Sequence, residues 1–119
     1  MNSIKKAYII DDEEAICLLL SGLLNREGID TDFNTSLLGS VEKADSFKPD
    51  VIFLDLSLGD GSGFSIIPEL RNKVPNAEII LISAHDGEAE RNNANELNIT
   101  HFIPKPLNRD LILETLREI

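Results

Sequence analysis

The sequence predicts a doubly wound α/β fold, in which a parallel β-sheet is covered by helices on both faces. Short apolar runs of strand length alternate along the chain with longer segments whose apolar residues recur at helical spacing, which is typical of βα units. Several of these runs are apolar at every position, as expected for strands buried on both faces. The 119 residues provide one hydrophobic core but not two, so we expect a single domain over residues 1–119.

The first half of the chain contains three predicted strands and two predicted helices. Apolar runs at 7–10 and 51–54 predict two strands, and the more polar segment 29–34 predicts a weaker strand between them. Gly28 is a suitable end for the first helix, and the second helix should end before Pro49. The apolar positions that support these helices are Ile16, Leu19, Leu20 and Leu23 in the first and Leu37, Leu38, Val41 and Ala44 in the second.

The second half of the chain continues the same alternation. A segment with three glycines in six residues, 58–63, predicts a turn after the third strand. The helix before the last strand offers only Ala89, Ala94 and Leu97 to the core, so we expect it to be weakly anchored. The other predicted elements are a helix at 63–73, a strand at 79–82, a helix within 86–98, a strand at 101–103 and a helix at 107–119, with Leu111, Ile112, Thr115, Leu116 and Ile119 on its apolar side.

The composition excludes several classes of protein. A formal net charge of −10 repels nucleic-acid phosphates and anionic membranes, so we expect no direct DNA binding and no membrane association. No apolar run approaches the ~20 residues of a spanning helix, and the N-terminus lacks the features of a secretion signal, which predicts a cytoplasmic protein. The single cysteine, Cys17, lies in an apolar run and is expected to pack in the core.

Polar side chains follow the predicted strands at the points where the strands end. They are Asp11 and Asp12, Asp55, Ser83 and Lys105. Because the carboxyl ends of parallel strands meet along one edge of a sheet, we expect these side chains to converge. Three neighbouring carboxylates are costly unless a cation neutralises them, and carboxylate oxygens are the ligands that Mg²⁺ prefers. The sequence therefore predicts a magnesium site made by the three aspartates.

The same residues predict a reaction. A carboxylate beside Mg²⁺ and a lysine can attack phosphorus to give an aspartyl phosphate, because the two positive charges offset the charge on the phosphoryl oxygens. Asp55 is the predicted nucleophile, Lys105 the positive side chain, and Ser83 a hydroxyl donor to the phosphoryl group. Taken singly, each residue is more typical of a helix cap, a turn or a loop. Their placement at the ends of successive strands favours the functional interpretation.

With these features, the chain resembles the receiver domain of two-component response regulators over its whole length. The resemblance implies a flavodoxin-like fold, similar to that of chemotaxis regulators, with five parallel strands in the order 2-1-3-4-5 and five flanking helices. The motifs that carry it are the pair Asp11-Asp12, Asp55, Gly63 eight residues later, Ser83-Ala84 and Lys105-Pro106.

The resemblance implies specific roles at the metal and the phosphorylation site. Asp55 would be phosphorylated by a partner histidine kinase or phosphotransfer protein. Asp12, Asp55 and the backbone carbonyl of Ser57 would hold Mg²⁺, and Asp11 would act largely through water. The sequence departs from the family nearby, because Gly59 stands where the family usually has proline.

The resemblance also implies a conformational switch. Ser83, followed by Ala84, would move toward the phosphoryl group, which Lys105 contacts. Phe102, which lacks the tyrosine hydroxyl of many members, would then turn inward and reshape a partner-binding surface. The Lys105–Pro106 peptide bond would be cis.

Two further positions would set how long the phosphate persists. Ser57 and His85 lie two residues after Asp55 and Ser83, and in the family these positions flank the path of the hydrolytic water. The signal would pass to a downstream target protein or to an attached output domain. The sequence leaves open whether the regulator is free-standing or the receiver part of a larger protein.

Three other functions compete with a phosphorylation switch. An aspartyl-phosphate phosphatase of the haloacid dehalogenase type would have a second aspartate two residues after the nucleophile, where Ser57 stands. A flavodoxin-like cofactor binder is disfavoured because the carboxylates would repel the FMN phosphate. A degenerate receiver that only binds partners is disfavoured because every phosphorylation residue is present. We therefore expect a signalling protein and not an enzyme.

Overall fold

A five-stranded parallel sheet forms the centre of the computed structural model, which describes residues 4–84 and 87–119. The strands are β1 (Lys6–Ile10), β2 (Asp30–Asn34), β3 (Val51–Asp55), β4 (Glu78–Ser83) and β5 (His101–Pro104). Their order in the sheet is β2-β1-β3-β4-β5, and every neighbouring pair is parallel. All five residues of the central strand β3 are buried, whereas the edge strand β2 is half-buried or exposed throughout. The predicted fold and strand order are confirmed.

Helices cover both faces of this sheet. They are α1 (Glu14–Arg26), α2 (Ser40–Phe47), α3 (Ile67–Lys73), α4 (Glu88–Glu96) and α5 (Arg109–Arg117), with a 3₁₀ turn at Gly63–Ile66 leading into α3. Successive strand residues point to opposite faces, so Phe53 packs under α1 and α5 while Leu54 packs under α2, α3 and α4. The fully apolar strands thus supply two separate hydrophobic layers.

The predicted helix faces are only partly correct. On α1, the buried residues are Cys17, Leu20 and Leu24, and Leu19 is 59% exposed because it lies to the side of that stripe. On α5, Leu111 is exposed, and the apolar side is instead formed by Ile112, Leu113, Thr115 and Leu116.

Two more of the predicted core positions lie in solvent. Leu38 precedes α2, which begins only at Ser40, and its side chain is 85% exposed. Ala89 is exposed on α4, where Ala94 is the buried residue, so the expected weak anchoring of this helix is confirmed. In the part of the chain that the structure describes, no helix has the length and hydropathy needed to cross a membrane.

The glycine-rich segment after β3 forms a small hairpin. Ser57–Leu58 pairs antiparallel with Gly61–Ser62, and Gly59 and Asp60 form the tip between them. The amide of Gly63 donates a hydrogen bond to the carbonyl of Leu56 at 3.0 Å, which closes the base of the hairpin. This hairpin stands at the carboxyl edge of the sheet, directly after the predicted nucleophile.

Leu70→Ala should lower the free energy of unfolding by about 2–5 kcal/mol, because Leu70 on α3 is fully buried and the truncation leaves a cavity. Leu38→Ala is the matched control, since the same atoms are removed from an exposed side chain and the change should stay within about 0.5 kcal/mol. Urea denaturation measures both values. Similar losses in the two variants would contradict the packing of α3 described above.

Candidate functional site

The ends of the strands bring the predicted polar residues together. Asp11 directly follows β1, Asp55 is the last residue of β3, and Ser83 is the last residue of β4. One carboxylate oxygen from each of Asp11, Asp12 and Asp55 lies within 4.8 Å of the others. Asp11 and Asp55 are almost completely buried, whereas Asp12 is exposed at the rim. The sheet edge therefore concentrates three negative charges in one place.

The Lys105 ammonium lies among these carboxylates. Its Nζ atom is 3.1 Å from Asp11 Oδ2, 3.3 Å from Asp55 Oδ2 and 3.0 Å from Glu13 Oε1. The backbone fixes the lysine as well, because its amide donates to the Ser83 carbonyl at 2.8 Å. The Lys105–Pro106 peptide bond that follows is cis.

Glu13 is a charged contact of Lys105 that the sequence did not predict. Its side chain is 59% exposed, in contrast to the buried carboxylates of Asp11 and Asp55. The signal that was available is its position directly after the pair Asp11-Asp12, ahead of α1. That position is equally typical of an acidic residue at a helix N-terminus, which is why the sequence did not distinguish the two roles.

Each buried carboxylate accepts a hydrogen bond from a backbone amide, and Asp55 Oδ2 accepts a second one from Lys105 Nζ at 3.3 Å. The Glu13 amide donates to Asp11 Oδ1 at 2.9 Å, and the Ser57 amide donates to Asp55 Oδ1 at 3.1 Å. Asp11 Oδ2 is buried and accepts no hydrogen bond within the described residues, since its contact with Lys105 is an ion pair without hydrogen-bond geometry. This buried oxygen faces a single ammonium, and one positive charge does not neutralise three neighbouring carboxylates. The three aspartates therefore fit a divalent metal ion.

The Ser57 backbone is available to the same site. The hydrogen bond from the Gly63 amide to the Leu56 carbonyl makes Ser57 and Ser62 a non-hydrogen-bonded pair of the hairpin. The hairpin ladder therefore does not use the Ser57 carbonyl. That carbonyl can act as an oxygen ligand, as the sequence analysis expected.

Gly63 is required by a close approach of two backbone segments. A Cβ atom built on Gly63 would lie 2.1 Å from the carbonyl oxygen of Asp55, a distance that real side chains do not reach. The neighbouring Leu56 amide donates to the Ile82 carbonyl at 3.1 Å, which ties the segment after β3 to β4. The glycine thus allows the chain to turn back directly over the residue that carries the predicted nucleophile.

The remaining predicted residues in the described part of the chain are Ser83, Ala84 and Phe102. Ser83 is 2% exposed, and Ala84 after it is exposed. Phe102 on β5 is half-buried, and the Arg91 guanidinium lies 4.9 Å from the centre of its ring. His85 lies outside the described residues. A cavity of about 300 Å³ opens beside the site, lined by Leu56, Ser57, Gly61, Ser62, Phe64, Ser83 and Glu90.

The environment changes the acidity of two groups. Burial raises the pKa of Asp55 to about 6; the Ser57 amide and Lys105 lower it, and the negative charge of Asp11 adds to the rise. Burial alone would lower the pKa of Lys105, but its contacts with Glu13, Asp11 and Asp55 outweigh that effect and raise it. The lysine is therefore a fixed positive charge, and Asp55 is a carboxylate that is costly to ionise without a further cation.

The sequence also matches a model of a known protein family. The model of the response regulator receiver domain matches residues 7–117. The chain belongs to this family. Receiver domains are generally signalling modules of two-component systems, not enzymes, and they interact with histidine kinases and with output or target proteins. The resemblance that the sequence analysis stated is confirmed.

Relatives of this receiver domain fall into two size classes. It is 28% identical over 116 residues to the chemotaxis protein CheY of Thermotoga maritima, covering 97% of each chain. It is 29% identical over 112 residues to the acid tolerance regulatory protein ActR of Sinorhizobium medicae, covering 94% of this chain and 58% of that protein. It is 32% identical over 102 residues to the alkaline phosphatase synthesis transcriptional regulatory protein PhoP of Bacillus subtilis, covering 86% of this chain and 42% of that protein. The chain thus spans about half the length of these two transcriptional or regulatory relatives.

Solved structures show the same fold. A two-component response regulator from Clostridium difficile is 28% identical, with a TM-score of 0.89 and coverage of 96% of this chain and 93% of that one. A response regulator from Burkholderia pseudomallei is 27% identical, with a TM-score of 0.85 and coverage of 96% of this chain and 72% of that one. The second structure contains a phosphorylated aspartic acid, a calcium ion and citrate.

Gly63→Ala should destabilise the receiver domain by about 1–3 kcal/mol, because the added methyl group meets the backbone carbonyl of Asp55. Gly22→Ala is the matched control, because Gly22 lies inside α1 with nothing within 4 Å of an added Cβ. Alanine favours the helix more than glycine does, so the free energy of unfolding should rise by about 0.5–1 kcal/mol. Thermal or urea denaturation gives both changes. A neutral Gly63→Ala would show that the two backbone segments are farther apart than described.

Asp55→Asn should stabilise the metal-free receiver domain by about 1–3 kcal/mol at about pH 7.5, because burial raises the pKa of Asp55 to about 6. The folded-state pKa lies above the unfolded value, so the ionised form destabilises the fold, and this cost develops as the pH rises from about 4 to about 6. Urea denaturation in EDTA across this range measures the difference between the two proteins. The difference should approach zero at the acidic end, and a difference independent of pH would contradict the shifted pKa.

Proposed function

We propose that this receiver domain accepts a phosphoryl group on Asp55 in a reaction that requires Mg²⁺, and that phosphorylation switches a partner-binding surface. One observation carries the proposal. The buried Asp55 carboxylate lies 3.3 Å from the Lys105 ammonium and within 4.8 Å of two further carboxylates at the carboxyl edge of the sheet. A carboxylate held beside a fixed cation, with oxygen ligands for a second cation, suits phosphoryl transfer.

Four groups are proposed to hold the metal ion: the carboxylates of Asp11, Asp12 and Asp55 and the backbone carbonyl of Ser57. All are oxygen ligands, as Mg²⁺ prefers, and the approach of three carboxylates to within 4.8 Å of one another supports the assignment. When bound, the ion supplies positive charge that offsets the negative charge of the phosphoryl oxygens. Asp11 is expected to act largely through water.

The transfer step forms one bond and breaks one. An Asp55 carboxylate oxygen attacks phosphorus, forming the O–P bond of an acyl phosphate. The bond from phosphorus to the donor breaks at the same time, and its electron pair leaves with the donor atom. In a phosphohistidine that atom is an imidazole nitrogen, and in acetyl phosphate it is an oxygen of acetate. Lys105 keeps its proton throughout and balances the charge of the transferred group.

Ser83, Ala84 and Phe102 are proposed to respond to the phosphoryl group. Ser83 ends the strand that pairs with β3, and Ile82 lies directly beside Asp55 in the register. The Ser83 hydroxyl would donate a hydrogen bond to a phosphoryl oxygen. Ala84, the next residue, would move with it. Phe102 on the next strand would change its position and alter the surface around α4 and α5. Ser57, which lines the adjacent cavity, and His85 are proposed to set the phosphate lifetime.

The partners follow from the same proposal. A histidine kinase or phosphotransfer protein would supply the phosphoryl group, and a downstream target or an attached output domain would read the switch. Residues 1–119 are proposed to form one receiver domain that makes no direct contact with nucleic acid, which its net charge of −10 supports. A cytoplasmic location stays a prediction.

Incubation with acetyl phosphate and Mg²⁺ should add the mass of one phosphoryl group, as measured by intact-protein mass spectrometry. Asp55→Asn should abolish the gain because the nucleophile is missing, and EDTA should abolish it because the carboxylates are left without their cation. Asp12→Asn should reduce it by weakening the metal site. Asp45→Asn removes a carboxylate on α2 whose side chain is 43% exposed and is no part of the site, and it should leave the gain unchanged.

Labelling that persists in Asp55→Asn would assign the phosphoryl group to another residue. Failure of the unsubstituted domain to gain mass, together with failure to form a beryllofluoride complex, would favour a receiver that binds partners without phosphorylation.

A further inference from the structure

The hairpin after β3 is attached to the rest of the molecule at both ends. At its base, the Ser57 amide donates to the Asp55 carboxylate. At its tip, the Asp60 carboxylate accepts hydrogen bonds from two backbone amides of the loop between β2 and α2. The Leu37 amide lies 2.9 Å from Oδ1 and 3.1 Å from Oδ2, and the Leu38 amide lies 3.1 Å from Oδ2. These bonds join segments more than twenty residues apart in the sequence.

Further contacts support this attachment. A Cβ atom built on Gly61 would lie 3.0 Å from Leu37 Cδ1, so the backbone of the tip packs directly against that side chain. Gly61 has a φ of 147°, a conformation that L side chains rarely adopt. The hydrogen bonds from the Leu37 and Leu38 amides also lower the pKa of Asp60, which keeps the carboxylate ionised as an acceptor. The tip is therefore shaped to bring Asp60 against the β2–α2 loop.

The attached hairpin faces the proposed metal ligands. A Cβ atom built on Gly59 would lie 3.8 Å from Asp12 Oδ2, which places the backbone of the tip next to that carboxylate. Ser57, whose carbonyl is a proposed ligand, begins the hairpin strand Ser57–Leu58 that leads directly to Gly59 at the tip. A shift of the tip would change the position of both groups relative to Asp55.

We propose that Asp60 is a positioning residue for the metal site: by holding the hairpin tip on the Leu37 and Leu38 amides, it fixes the Ser57 carbonyl and the surroundings of Asp12 in a geometry that binds a divalent cation. The inference rests on the metal site of the proposed function. Asp60 itself is not a ligand in this proposal. Groups that orient metal ligands from outside typically change metal affinity by about 10–100-fold.

The attachment and the metal must then influence each other equally. If the Asp60 hydrogen bonds strengthen cation binding by a given factor, the bound cation strengthens those hydrogen bonds by the same factor. The β2–α2 loop, with its exposed Leu38, is thereby coupled to the occupancy of the metal site. The coupling is visible at the two donor amides, whose hydrogen exchange reports on how often the attachment opens.

The test is a Mg²⁺ titration of the whole chain, by calorimetry, for the unsubstituted domain and three variants. Asp60→Ala removes all the acceptors and should weaken Mg²⁺ binding about 10-fold, at the lower end for a group that orients ligands. Asp60→Asn loses the same charge but keeps one acceptor oxygen. Its Mg²⁺ affinity should therefore fall less, by about 3-fold. Asp45→Ala removes an equal charge from another hydrogen-bonded aspartate, on α2, whose side chain is 43% exposed, and this variant should bind Mg²⁺ normally.

Amide hydrogen exchange provides a readout that a general loss of stability would not reproduce. In the unsubstituted domain, saturating Mg²⁺ should slow the exchange of the Leu37 and Leu38 amides. The factor should be about the same as the factor by which Asp60→Ala weakens Mg²⁺ binding. In Asp60→Ala these two amides should exchange quickly and respond little to Mg²⁺. Amides of the buried strand β3 should keep their protection in every variant.

Three outcomes would overturn the inference. Normal Mg²⁺ binding by Asp60→Ala would remove Asp60 from this role while leaving the proposed metal site intact. Equal losses in Asp60→Ala and Asp60→Asn would assign the effect to charge alone and not to the hydrogen bonds. Absence of Mg²⁺ binding by the unsubstituted domain would overturn the metal site and this inference together, which distinguishes that failure from the first.

Discussion

The Lys105 ammonium makes it possible to bury two carboxylates at one edge of the sheet. Asp11 and Asp55 are both removed from water, and each lies within 3.3 Å of Lys105 Nζ. Uncompensated burial of such charges costs several kcal/mol per ion, and loss of the lysine, which would leave both carboxylates buried without a cation, should cost about 3–5 kcal/mol. The remaining local charge is still negative, because Asp12 and Glu13 lie in the same region. A second cation is therefore favoured by the electrostatics of the fold itself.

The backbone around this charge cluster is built for close approach. Gly63 lets the chain fold back over the Asp55 carbonyl, and the resulting hairpin takes up the space above the sheet edge. The hairpin then serves two purposes, since its base hydrogen-bonds the nucleophile and its tip reaches the β2–α2 loop. Rigid strands fix the charged side chains, whereas loops fix the geometry around them.

The two hydrophobic layers explain how these strands are held in register. Alternate residues of the central strands face opposite helices, so a shift of one residue would expose an entire layer to solvent. Ser83 and the Lys105 backbone are positioned by the same parallel pairing, which ends with the bond from the Lys105 amide to the Ser83 carbonyl. The weakest support is under α4, where Ala94 is the buried residue. The helix that borders the site beside Ser83 is thus the one that costs least to move.

The sequence by itself determined the fold class, the strands and the residues at their ends, because fully apolar runs and the polar residues that end them are local signals. It also indicated the family, through the motifs at the ends of the strands. Only the tertiary structure decided which helix residues face inward, since Leu19, Leu38 and Leu111 satisfy a helical period and yet lie outside the packed stripe. It likewise revealed the contacts of Glu13 with Lys105 and of Asp60 with the β2–α2 loop. Those contacts join residues far apart in the chain, and no local pattern specifies which distant partner a surface carboxylate will meet.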